Sequence, residues 1–183
     1  KRRSKTTKST TTVFSTHDHP GGAMRQSAKQ LDRSHTTVMH HFPTKTALLA
    51  AVLDQEDATE ASFDERSRAV GFIRSILEIV QRNLERREIV RMFSIVSAEA
   101  THPGHEAHEW LSERYERVTA DYATQIVYDR ARGRLLGEDD PLEVAGLVMT
   151  GWEGIQIRWL ADGTDPVAAM DQLMTALLRP SAN

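Results

Sequence analysis

Between Ser34 and Lys45 the chain reads SHTTVMHHFPTK, a run of hydroxyls and imidazoles with a few apolar residues among them and a proline near its end. Such side chains hydrogen-bond phosphate oxygens and base edges, whereas catalysis asks for a nucleophile, a base and an orienting group brought together. A second reactive group, His102, His105 and His108 with Glu99, Glu106 and Glu109 nearby, recurs at steps of three. Residues of these types bind zinc when they share a helix face. The spacing argues against it: in HEAHE the second His comes one residue early for a HExxH pair, and Pro103-Gly104 interrupts the face that would carry His102. No Ser-His-Asp pairing, glycine-rich phosphate loop or segregated carboxylate pair stands out. The sequence therefore predicts a binding protein rather than an enzyme, with no catalytic residue, no metal and no cofactor.

Charge points to the same end of the chain as the polar run. The net charge of -3 is divided: up to position 45 there are nine basic and two acidic residues (net +7), and after it fourteen basic and twenty-four acidic (net -10). A basic head on an acidic body suits a polyanion at one end only; a basic arm without structure is the plainer reading. With 183 residues, about two fifths of them apolar, the chain can bury a core as one domain or as a small domain joined to a larger one. No apolar run approaches the roughly 20 residues of a membrane span, so no membrane partner is expected. The absence of cysteine removes disulfides and thiolate metal sites and makes a reducing cytoplasm the expected location.

The elements that must position these residues are helices. Leu48, Leu49, Val52 and Leu53 share one face of a segment 45–61, which Thr44 can cap. Val70, Ile73, Ile76, Leu77, Val80 and Leu84 give helical spacing over 69–86, as do Ile89, Met92, Phe93 and Val96 over 88–100. His102-Pro103-Gly104 breaks the pattern. A long helix over 106–132 turns Trp110, Leu111, Tyr115, Val118, Tyr122, Ile126 and Val127 inward, and Gly133 stops it. Asp140-Pro141 opens a helix over 141–161, and Asp165-Pro166 opens the last, which reaches Leu178. No stretch keeps the period of two of a strand, so the fold class is all-α.

Residues 23–31 and 35–41 then read as two short helices joined by the turn Asp32-Arg33-Ser34, a helix-turn-helix arrangement in a basic region. Val38 and Phe42, one turn apart, face inward. Arg25, Ser34, His35, Thr36, Thr37, Met39, His40 and Lys45 are the candidate contacts to double-stranded DNA, with Thr36, Thr37 and His40 toward the groove and Lys45, with the arm Lys1-Arg2-Arg3, toward phosphates.

At these residues the chain resembles the TetR/AcrR family of transcriptional regulators. The family's recognition segment commonly reads S-x-G-T-L-Y-x-H-F-P-S-K-E-A-L-L-x-A-V, and S-H-T-T-V-M-H-H-F-P-T-K-T-A-L-L-A-A-V occupies the same frame without a gap. The resemblance implies a three-helix head over 1–46 and a helical effector-binding and dimerisation body over 47–183. It further implies a repressor that works as a homodimer on a palindromic operator and responds to a small-molecule effector. This chain departs from the family at Thr6, Thr7, Ser9 and Thr10, where the first helix is usually apolar, and at Ser27, Asp32-Arg33 and Met39. A helical small-molecule-binding or scaffold protein with a degenerate head is the alternative.

Within the body, Met92, Phe93, Trp110, Tyr122, Met149 and Trp152 lie on helices that in the resemblance surround a pocket, and Glu99 would present a carboxylate to that apolar space. Gly146, Gly151 and Gly154 each cost roughly 1 kcal/mol in a helix interior, which close approach of another helix would offset. Leu147, Gly151, Gly154 and Ile155, with Met170, Leu173, Met174 and Leu177 of the last helix, are therefore the expected dimer interface. Packing within the chain is the other use for the same glycines.

Overall fold

The computed structural model describes residue 51 and residues 63–179. The expected head, the helix 45–61 and the domain boundary at 46/47 lie outside these residues. The described residues form six helices and no extended strand: α1 (Phe63–Val70), α2 (Phe72–Leu84), α3 (Arg87–Ala100), α4 (His108–Ala131), α5 (Pro141–Asp162) and α6 (Pro166–Leu178). They divide into two compact units, one holding residues 86–111 and the other 63–85 with 112–179. No helix among them is long and apolar enough to cross a membrane.

In the larger unit the periodic apolar faces meet. Phe72, Ile76, Ile79 and Val80 of α2 pack with Ile126 of α4, Val144, Ala145 and Val148 of α5, and Met170, Met174 and Leu178 of α6. Full burial of side chains of this size stabilises by about 1.5–3 kcal/mol each. α6 lies against both α2 and α5, and α1 against α2. The Asp-Pro signals act as the spacing predicts: Asp140 Oδ1 accepts the Leu142 N–H at 2.8 Å, and Asp165 Oδ1 accepts those of Val167 and Ala168 at 2.9 and 3.3 Å. Each proline follows its cap directly, where a missing N–H costs nothing.

Two expectations change. The single helix over 69–86 is two helices, broken at Gly71, whose φ of 95° is a conformation that side chains disfavour. The break is held from a distance: Asp129 of α4, itself buried, accepts the Phe72 N–H on Oδ2 at 2.7 Å. Val127 is exposed, not inward, whereas its neighbour Ile126 takes the core position.

In the smaller unit α3 buries Met92, Val96 and Ala100, spaced four apart along one face, and Val90. The chain then turns through 101–107. Here His102 Nδ1 accepts the Gly104 N–H at 3.1 Å and His105 Nδ1 accepts the Ala107 N–H at 3.2 Å. His108 Nδ1 meets the Ala100 carbonyl at 2.8 Å. Each ring is turned to backbone, and among the described residues no three His, Cys, Asp or Glu side chains are grouped to hold a metal.

Candidate ligand and partner surfaces

The eight candidate DNA contacts, Arg25, Ser34, His35, Thr36, Thr37, Met39, His40 and Lys45, all lie outside the described residues. The candidates for the effector are placed, and they are divided between the two units. Met92, Phe93 and Trp110 come together with Ile89 in the smaller unit. Tyr122 belongs to the larger unit, in an aromatic group with Phe63 and Phe72 at centroid distances of 5.4 and 5.3 Å. Trp152 packs on that same core, and Met149 is buried. Glu99 is exposed on α3, two turns after Met92.

The expected interface also divides. Met170 and Met174 are 0% exposed within their own protomer, which leaves them no surface for a partner; the inward period of α6 is satisfied by α2 and α5. Leu173, Leu177 and Ile155 are partly buried against the same core. Gly151 is explained inside the chain, since a Cβ there would run into Leu173 Cδ2. What remains on the surface is one face of α5. Leu147 is 54% exposed, Gly154 is exposed, and a Cβ at Gly146 or Gly154 would meet nothing within 4 Å. Ile157, 53% exposed, extends this face and escaped the sequence reading, although it stands three residues beyond Gly154.

A third feature had no counterpart in the sequence analysis. The Asp129 carboxylate that caps α2 also accepts Arg134 Nη1 on Oδ1 at 3.1 Å, and the same Nη1 donates to the Arg68 carbonyl of α1 at 3.0 Å. Arg134 therefore ties the end of α1 to the start of α2 through α4. Beside it lies a cleft of about 450 Å³, lined by both apolar and charged side chains. The only hint in the sequence is an acidic residue three positions after Ile126, on the inward side of α4.

Electrostatics elsewhere on the larger unit are those of exposed pairs. Hydrogen bonds from Arg66 hold the Glu78 carboxyl below its ordinary value, with Arg74 adding to the effect. Asp162, which accepts the Thr164 hydroxyl and N–H at the end of α5, is lowered in the same sense, with Arg158 contributing.

Three solved structures share this architecture. A Rhodococcus protein assigned to the TetR family of transcriptional regulators superimposes with a TM-score of 0.72 over 96% of each chain at 21% identity. The chain has the fold of TetR-family regulators. A second such regulator, from Pectobacterium atrosepticum, gives 0.64 at 24% identity over 96% of this chain and 90% of its own. NalD of Pseudomonas aeruginosa, the secondary repressor of the MexAB-OprM multidrug efflux pump, gives 0.63 at 20% identity over 96% of this chain and 92% of its own. No protein-family model and no curated protein matches the sequence. In the TetR-type fold observed here, α5 and α6 are the last two helices, and α5 carries the exposed apolar face.

Proposed function

We propose that the chain belongs to the TetR/AcrR regulators and is a ligand-responsive, DNA-binding transcriptional regulator, a repressor that acts as a homodimer on a palindromic operator in the cytoplasm. The observation that carries this reading is the TetR-type fold over 96% of this chain and of the Rhodococcus regulator. The segment Ser34 to Lys45 and the basic head support it from the sequence. In this reading Thr36, Thr37 and His40 meet base edges, and Lys45 meets phosphate. Leu147, Gly154 and Ile157 on the open face of α5 meet a second copy, which sets two heads about one DNA turn apart. Met92, Phe93 and Trp110 form the apolar side of an effector site.

The experiment is binding to the DNA upstream of the protein's own gene, measured against unrelated DNA as salt is varied. A regulator binds its operator at least about a thousandfold more tightly than random sequence. The Lys45→Ala variant weakens binding to every sequence alike and lowers the salt slope by about one. Equal affinity for both DNAs would instead favour the second reading, a small-molecule-binding protein with a degenerate head, which the polar Thr6, Thr7, Ser9 and Thr10 support.

A further inference from the structure

The cleft beside Arg134 is lined by residues of the larger unit alone, and it differs in chemistry from the expected effector site. Its accessible apolar wall comes from Ile73 and Leu77 of α2, with the buried Phe72 and Leu135 behind them. Its charged rim is not balanced in what it offers to solvent. The Asp129 carboxylate, 2% exposed, already accepts the Phe72 N–H and Arg134, so it has little to give to an incoming group. Two guanidinium side chains reach solvent there, Arg134 at 37% and Arg74 at 74% exposed, the latter 3.5 Å from the Glu78 carboxylate, and the exposed Asp171 is the accessible carboxylate of the lining. An apolar wall beneath an accessible guanidinium recognises an anion with a hydrophobic body. The Asp171 carboxylate of α6 lines the same cleft, and its negative charge opposes a multiply charged anion.

We propose that the cleft between α2, α6 and the end of α4 is a binding site for a small monocarboxylate with an apolar tail, its carboxylate held by Arg74 at the rim and its tail laid over Ile73 and Leu77. The site needs no second protomer and no DNA. It is separate from the group formed by Met92, Phe93 and Trp110, which belongs to the other unit.

Octanoate is the probe, titrated calorimetrically into the full chain without DNA, so the result does not depend on whether the protein regulates transcription. Octylammonium and octan-1-ol, with the same tail, are the charge controls. Octanoate binds and the controls bind more weakly. The Arg74→Gln variant weakens octanoate by about tenfold, as expected for a charge-assisted contact, and Arg74→Lys keeps most of the affinity. Arg74 is largely in solvent, so both variants keep the fold, and matching thermal melts verify this. Absence of octanoate binding, equal binding of octylammonium, or an Arg74→Gln variant that binds as the parent does would each overturn the assignment.

Discussion

Gly151 and Gly154 stand three residues apart on α5 and have opposite surroundings. A side chain at Gly151 would collide with Leu173, whereas one at Gly154 would enter open space. The inner glycine lets α6 approach α5 within one protomer; the outer one lies with exposed Leu147 and Ile157 on a face where no described residue comes within 4 Å of an added Cβ. The two faces of one helix therefore separate two tasks that a sequence cannot distinguish, building the protomer and offering it to a partner.

The largest effect expected on the inner face is that of Met174→Ala. It should cost about 2–5 kcal/mol by chemical denaturation, as for other buried Met to Ala changes, and the loss should be the same at every protein concentration. A loss that depended on concentration would return Met174 to an interface between copies. Gly151→Leu should cost about 1–3 kcal/mol through overpacking, with much of this recovered when Leu173→Ala is added. Failure of that rescue would break the assignment of Gly151 to the α5–α6 contact.

On the outer face, Leu147→Arg and Ile157→Arg should leave the protomer folded and weaken self-association by at least about tenfold in sedimentation, because a charge there would be buried without a partner. A dimer that both variants leave intact would place the interface elsewhere. Gly154→Ala sharpens the contrast with Gly151: it should raise protomer stability by about 0.5–1 kcal/mol through helix propensity alone. The smallest effect is electrostatic. Since Glu78 is lowered in the folded state, the stability it adds is present above 4.5, the ordinary value, and is lost as pH falls through and below it. The loss is slight because the pair is exposed, and it should disappear in Glu78→Gln when melts at neutral and acid pH are compared.

The contrast also explains what could be read from the sequence. The ends of α5 and α6 were legible because Asp140-Pro141 and Asp165-Pro166 act on amides two or three residues away. The break at Gly71 was not, because its cap, Asp129, comes from 57 residues further along the chain. Periodicity identified Met170 and Met174 as apolar and on one face. It could not say which surface covers that face, and an interface between copies was the wrong choice for both. The same limit applies to the effector candidates: Met92, Phe93 and Trp110 meet in one unit and Tyr122 and Trp152 join the core of the other, because helical spacing orders residues within a helix and not between helices. The charged rim of the cleft had no local signature at all, since Arg74, Arg134 and Asp171 come from three separate segments.

The two histidines of the turn between α3 and α4 and the one that begins α4 differ in where their hydrogens must sit. His102 and His105 receive a backbone N–H at Nδ1, so in the neutral ring the hydrogen resides on Nε2. His108 faces a carbonyl at the same atom and must carry its hydrogen on Nδ1. One short connection thus requires two tautomers of the same side chain, two of one kind followed by one of the other. Ring nitrogen chemical shifts would distinguish them, and an asparagine, whose side-chain amide can turn either its oxygen or its nitrogen to the backbone, could serve in all three places.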